Sequence, residues 1–412
     1  MSKKRIVFVI NYFYPDVASI AQLMTDLVSD LQDEFDITVV AAQPGYAAEQ
    51  SKDKKMIGTG KYGNVKVRRL KLPIVNKLSK VSRIRYILSY FLLALMATLF
   101  ERKVDIIYSI SQPPILGGLI GTIGKFFKRC KHIYNVQDFN PEQAAAIHYS
   151  GSKLVYQFAR YVDMLNCKFA DEVIVVGNDM QETLVERFKN KPVPKSSVIN
   201  NWTNEKDIVP LAEDTAEVKR FREDHQLMGK FVVMYSGNLG LFYDLENIIA
   251  VAKKMNDNPD IVFVYIGEGA IKRKMEMYVH DHQLNNVLFL PYQPKEFLKY
   301  SLNAADVHLV VNQKGIKGVS VPSKIYGVMA AGKPIMGVLE QGSEGQQLIS
   351  NSRCGLVVEP QDYKGIYDGI MRFYQLEKGK REEMGVNGRV YLENHLTKEV
   401  SIHKYRKILR DL

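Results

Sequence analysis

The 412-residue sequence is short of the features that most quickly betray a function. Its three cysteines, Cys130, Cys167 and Cys354, lie far apart and form no C-x-x-C pair. Neither a disulfide framework nor a zinc site is implied, and a reducing compartment fits. The first apolar run, Arg5–Ile10, leads into NYFYPDVASIAQL, with no glycine before Gly45. A dinucleotide needs close backbone approach at that turn, so a nicotinamide or flavin cofactor is not expected. No D-x-D occurs, so no divalent metal bridging phosphates is indicated. A single tryptophan and no recognisable nucleic-acid-binding motif argue against nucleic acid as a partner. No uninterrupted apolar stretch reaches the roughly 18–20 residues that span a bilayer. The opening MSKKRIVFVINYFYPD has no small-residue cleavage site and reads as a first strand, not as a signal peptide.

What is present is a basic excess with an uneven distribution. The net charge is +11, and residues 61–103 hold eleven Lys and Arg residues against one acid, Glu101. Within that segment lies the apolar run Tyr86–Phe100, about 22 Å long as a helix and short of a ~30 Å hydrocarbon core. Two readings stay open. It is a buried core helix flanked by solvated charge, or a basic and apolar surface for anionic lipid, with Lys77, Lys80, Arg83, Arg85, Phe91 and Leu92 as the patch.

Short apolar runs alternate with amphipathic helical stretches throughout. Candidate strands are Arg5–Ile10, Ile37–Ala41, Val65–Leu70, Ile106–Ile110, His132–Val136 and Val173–Val176. A second set follows at Phe231–Tyr235, Ile261–Ile266, Val287–Leu290, Val307–Val311, Ile335–Val338 and Gly355–Val358. Helical periods fall between them, as at Ile20–Leu31, Leu154–Phe169, Leu245–Met255 and Ile271–His280. This alternation implies an α/β protein of two Rossmann-like, doubly wound domains. The stretch 190–210, NKPVPKSSVINNWTNEKDIVP, has three prolines and no helical period, and reads as a hinge. The expected division is 1–200 and 201–385, with a C-terminal helix, 386–412, crossing back onto the first domain.

Three loops carry the chemistry of the second domain. MYSGNLGLFYDLENII places Gly237, Asn238 and Gly240 between a strand and a helix, where small residues let backbone N–H groups face an anion. FVYIGEGAIKRK repeats the pattern with Gly267 and Gly269. In KGIKGVSVPSKIYGVMAAGKPIM, Pro322 suits a first helical turn with Ser320 or Val321 near the cap. Lys324 then opposes the helix dipole. That is tolerable on a solvated surface and is accounted for if an anionic diphosphate sits there. In the first domain, YNVQDFNPEQAAAIHYS follows a strand. Asn140 and Pro141 suit a helix start, whereas Asp138 lies at the strand's C-terminal edge, where open α/β sheets bind ligands.

Taken together, YSGNLG, VYIGEG, NNVLFLPY, LNAADVHLVV, PSKIYGVMAAGKPIM and SRCGLVVEP, with YFYPD, SQPPILGG and YNVQDFNPEQ in the first half, resemble the family 4 retaining glycosyltransferases of the GT-B fold. The similarity is to the branch that builds bacterial surface polysaccharides on lipid-linked sugars, and it spans nearly the whole chain. It implies a nucleoside diphosphate sugar, UDP-sugar favoured, on the second domain, an acceptor on the first, and reaction in a cleft between them. It implies Gly237, Asn238 and Gly240 beside the diphosphate, Leu290, Pro291 and Tyr292 at the base, and Ser323 and Lys324 facing the phosphates; Gly267, in the second glycine loop, is a further donor-binding candidate. From the residues themselves, Asp138 and Glu142 are the candidate catalytic carboxylates on the acceptor side, able to take the acceptor's proton or hydrogen-bond its hydroxyls, with Asn140, His148, Asn201 and Trp202 as further acceptor-side candidates. The implied enzyme is a metal-independent hexosyl- or N-acetylhexosaminyltransferase without a cofactor, cytoplasmic and peripheral on the inner face of the membrane.

The sequence departs from that pattern. Many members carry two glutamates eight positions apart where Val319 and Gly327 stand, and Arg and Lys where Asn238 and Tyr243 stand. Lys324 would then carry more of the phosphate charge, with Lys314 and Lys317 in reserve. The departures keep two alternatives open: a degenerate, non-catalytic partner or scaffold subunit, and a sugar-nucleotide epimerase of the same architecture.

Overall fold

The computed structural model describes residues 3–16, 18–44, 55–75, 79–146 and 152–412. The described residues divide into two compact units. One comprises residues up to Ala145, the segment to Asn200 and Ile402–Leu412; the other runs from Asn201 to Ser401.

The first unit is built on eight strands. In chain order these are β1 (Arg5–Val9), β2 (Asp36–Ala42), β3 (Ile57–Tyr62), β4 (Val65–Leu70), β5 (Ile106–Ile110), β6 (Lys131–Val136), β7 (Glu172–Val175) and β8 (Ser196–Val198). They pair as β3-β4-β2-β1-β5-β6-β7-β8, all parallel except for the β3–β4 pair. Two of them were not legible in the sequence. β3 reads IGTGKY, with two glycines and no alternation, and forms only as an edge hairpin on β4. β8 lies inside the segment expected to be an irregular hinge, and pairs with β7.

The second unit carries β9 (Phe231–Ser236), β10 (Ile261–Ile266), β11 (Val287–Leu290), β12 (Val307–Val311), β13 (Ile335–Val338) and β14 (Gly355–Val358). Their order is β11-β10-β9-β12-β13-β14, all parallel. The winding direction reverses between β9 and β12. The connections from these two strands leave in opposite directions and open a crevice at their C-terminal ends. The near-continuous burial of β9, β10 and β12 is what a sheet covered by helices on both faces demands.

Helices fill the connections. In the first unit, Lys80–Phe100, Leu116–Lys128 and Lys153–Phe169 pack side by side. The first is longer than the 15-residue apolar run, because Ser79 caps it, its side chain accepting from Ser82 N–H at 3.2 Å. By length and composition, Val81–Phe100 suffices to cross a membrane. One face nevertheless belongs to the core: Tyr90, Leu93, Ala94 and Ala97 pack with Val7, Val40 and Ile107. The middle helix is glycine-lined where it meets the sheet. A Cβ on Gly117 would lie 2.0 Å from Ile110 O, and one on Gly121 2.0 Å from His132 Nε2.

The return of the C-terminus is shorter than the expected 386–412. Helix Lys378–His395 stays with the second unit, where Arg389 donates to Ile208 O and Ala330 O, each at 2.9 Å. Only Ile402–Leu412, which begins inside helix Lys398–Asp411, belongs to the first unit. Tyr405 is buried there and accepts from Asn135 Nδ2 at 2.7 Å.

Candidate functional site

In the second unit, the loops after β9 and β10 are locked together by their backbones. Gly237 N–H donates to Ile266 O at 2.8 Å, Leu239 N–H to Glu268 O at 2.9 Å and Gly267 N–H to Leu290 O at 2.9 Å. Gly237 and Gly267 have φ of +146° and +144°, a region that side chains disfavour. A Cβ on Gly267 would lie 1.9 Å from Gly237 O, so this approach is open to glycine alone. Tyr235 Oη donates to Asn238 O at 2.7 Å and fixes the tip of the first loop.

Lys324 enters this crevice. A Cβ on Gly237 would lie 2.4 Å from Lys324 Cε, so the lysine side chain crosses directly over that glycine. Its Nζ lies 3.9 Å from the centroid of the Tyr243 ring and 5.0 Å from that of Tyr235. Aromatic faces attract a cation but do not neutralise it. No carboxylate pairs with Lys324 among the described residues; the nearby loop acid, Glu268, is paired with Lys272 at 2.6 Å. Burial therefore pulls the Lys324 ammonium down to about 7. The helix it opens, Lys324–Ala330, starts later than expected. Ser320, Val321 and Pro322 lie outside it, and Ser323 stands at the cap without a side-chain capping bond.

The other expected donor-side residues sit around this crevice. Leu290 is buried at the end of β11, while Pro291 and Tyr292 are exposed. Tyr292 Oη donates to Glu268 O at 3.4 Å, beside Gly267. Gly240 is buried and Asn238 exposed. Of the reserve lysines, Lys317 is tied to Gln341 O at 2.8 Å, and Lys314 is exposed. Val319 is buried. A Cβ at Gly327 would meet only Leu302 Cδ1, at 3.8 Å. The two aromatic rings under Lys324 were missed in the sequence. Tyr243 registered there only as the loss of a lysine.

In the first unit, Ser111 organises the end of β6. Its Oγ accepts from Gln137 N–H at 3.1 Å and Asp138 N–H at 3.3 Å, and its carbonyl accepts from Asn140 Nδ2 at 2.9 Å. Asn140 Nδ2 also reaches Asp138 O, and Gln143 Nε2 donates to Asp138 Oδ1, both at 3.2 Å. The Asp138 carboxyl is thus held part-buried at the sheet's C-terminal edge by a neutral amide.

Glu142 is differently placed from the expected free acceptor-side carboxylate. Arg187 Nε donates to it at 2.9 Å and Arg160 Nε at 3.2 Å. Arg187 also donates to Asp163 at 2.7 Å, which in turn accepts from Tyr134 Oη at 2.7 Å, and its guanidinium stacks 3.9 Å from the Phe139 centroid. Burial alone pulls the Arg187 pKa down, but Asp163 and Glu142 outweigh it and leave it above its ordinary value. This network, invisible to sequence spacing, commits Glu142 to neutralising a buried cation.

The remaining candidates are less open than expected. Trp202 is 5% exposed and Asn201 6%, whereas a stacking platform needs a free ring face. His148 and Lys77 lie outside the described residues, as does the side chain of Lys80. In the expected lipid patch, Phe91 packs against the core. The outward stripe is instead Val81, Ile84, Leu88, Leu92, Met96 and Phe100, with Arg85 exposed and Arg83 partly so. Among the described residues, no group of three or more His, Cys, Asp or Glu side chains could hold a metal ion.

Comparison with known proteins bears on both units. Residues 217–391 match the family described as Glycosyl transferases group 1. WbjE of Pseudomonas aeruginosa, named as a glycosyltransferase, is 28% identical over 345 residues, covering 83% of this chain and 84% of its own. WcaI of Escherichia coli K12, named as a colanic acid biosynthesis glycosyl transferase, is 24% identical across 99% of this chain and 100% of its own. Among solved structures, sucrose-phosphate synthase from Thermosynechococcus elongatus superposes with a TM-score of 0.77 at 17% identity, over 99% of both chains. Anabaena HepE, solved with UDP and glucose, superposes at 0.74 and 14% identity, over 99% of this chain and 100% of its own. These structural likenesses establish the fold, which is GT-B.

Proposed function

We propose that this chain, whose residues 217–391 match the Glycosyl transferases group 1 family, moves a sugar from a UDP-sugar to a lipid-linked saccharide in cell-surface polysaccharide synthesis, with retained anomeric configuration. The observation that carries the donor half is Lys324: a buried-stem cation with no carboxylate partner among the described residues, laid across Gly237 at the mouth of two interlocked glycine loops. A diphosphate supplies the missing counter-charge. The UDP and glucose bound by HepE, and the colanic acid synthesis for which WcaI is named, support the choice of donor and pathway class.

In the reaction, the bond between the anomeric carbon and the diphosphate oxygen breaks with its electron pair going to the diphosphate. An oxocarbenium-like sugar forms, and the acceptor hydroxyl bonds to it on the face the leaving group vacated. The hydroxyl proton passes to the departing diphosphate. Negative charge therefore grows where Lys324 stands, and its greater hold on the departing charge lowers the barrier. Asp138 would accept a hydrogen bond from the acceptor; Glu142 would keep Arg187 neutralised. The exposed stripe of helix Lys80–Phe100, with Arg83 and Arg85, supports a peripheral position on a membrane that holds the acceptor.

The test is incubation with UDP- and GDP-sugars plus membrane lipid. Release of UDP that depends on the lipid is expected. No release from any donor, and no nucleotide-induced thermal stabilisation, would instead favour a non-catalytic scaffold, a reading that the absent carboxylates at Val319 and Gly327 motivate.

A further inference from the structure

Helices Lys80–Phe100 and Leu116–Lys128 each precede a parallel strand, β5 and β6, so both end at the same edge of the first sheet, the edge opposite the strand C-termini. Three phenylalanines stand there, Phe100 and Phe127 each 75% exposed and Phe126 56%. They are not isolated surface residues, since Phe100 ends the outward apolar stripe that begins at Val81.

Beside them lie two cavities, of about 410 and 680 Å³, one bordered by Phe100 and the other by Phe126. Each is lined by five Lys or Arg side chains against two Asp or Glu. Part of that charge is internally balanced, as Lys66 and Arg68 share Glu101 at 2.8 and 2.6 Å. Arg102, Lys103 and Arg129 are exposed and carry no ion pair among the described residues.

We infer that this edge is a second anion-binding surface of the first unit, one that takes the phosphate headgroups of anionic phospholipid while Phe100, Phe126 and Phe127 enter the acyl boundary. The inference rests on the membrane reading given above, and moves the headgroup contact to the end of the helix opposite Arg83 and Arg85. A soluble phosphate would account for the cations but not for three exposed rings beside them. A bilayer surface matches both, because its phosphate layer lies directly above its apolar layer. The match of charge sign and of apolar–cationic order is what singles out lipid.

The experiment is flotation of the full chain with phosphatidylcholine vesicles, with and without phosphatidylglycerol. The parent is expected to float with the anionic vesicles. The triple change Arg102→Gln, Lys103→Gln, Arg129→Gln should weaken that partition by about 100-fold, at roughly tenfold or less per cation. Phe100→Ser with Phe127→Ser should lower it too, and Arg83→Gln with Arg85→Gln should matter less. UDP-induced thermal stabilisation should be unchanged in all three. If the triple variant floats like the parent, or if millimolar inorganic phosphate alone displaces the parent, the lipid edge is wrong while the membrane reading stands. If the parent floats with neither vesicle, the membrane reading itself falls.

Discussion

The Lys324 ammonium stands 3.9 Å from the centre of the Tyr243 ring, and no carboxylate pairs with it among the described residues. Replacing it by methionine keeps the stem and removes the charge. UDP affinity should fall about 10- to 100-fold, the loss of one or two charge-assisted hydrogen bonds at ~1.5–3 kcal/mol. Thermal stability should hold or rise, because a desolvated cation is gone. Calorimetric titration showing unchanged UDP binding would refute the assignment.

The same lysine makes donor binding depend on pH. Its pKa in the free protein is about 7, below the ordinary 10.5, because burial disfavours the charge. The unfolded chain then binds more protons between pH 7 and 10.5, so folding stability rises across that window. Diphosphate binding has the opposite sign, since the ligand prefers the protonated lysine. UDP affinity should decline as pH climbs above about 7, with a proton taken up on binding. Titrations in buffers of different ionisation enthalpy detect that uptake, and Lys324→Met should abolish it.

Gly267→Ala should be far more damaging than Gly240→Ala. At Gly267 the new Cβ meets a backbone oxygen at 1.9 Å and φ is +144°. At Gly240 it meets the Asn238 amide at 2.8 Å, a side chain that can rotate away. A stability loss above ~2 kcal/mol with loss of UDP binding is expected for the first, and a minor change for the second. Thermal melts with and without UDP separate the two.

The two carboxylates near the end of β6 should fail in different ways. Arg187→Met strands Glu142 and Asp163, which costs about 3–5 kcal/mol for a buried network. Glu142→Gln should likewise lower the melting temperature. Asp138→Asn should leave melting intact and lower turnover. Equal melting for the Glu142 and Asp138 variants would contradict this division.

Most strands were legible because burial on both faces writes continuous apolar runs: Ile261–Ile266 and Val307–Val311 were bounded to the residue. The misses have physical reasons. β3 and β8 are edge strands paired on one side, so neither needs an apolar signature. The early start of helix Lys80–Phe100 depends on a serine cap, not on hydrophobicity. In the site, Lys324 and the glycines were readable because their chemistry is local. The partners that define their behaviour were not. Tyr243 under Lys324, and Arg187 on Glu142, are brought in by tertiary packing from 81 and 45 residues away.

Tyr405 and Leu409, in helix Lys398–Asp411, are buried in the unit that contains β1. On a ribosome, the half that emerges first cannot close its interior until residues 402–412 have also emerged. Early folding must therefore proceed around a vacant groove beside Asn135 and Tyr108. A stop codon ahead of Tyr405 would injure the unit that contains β1, although that unit is otherwise encoded upstream.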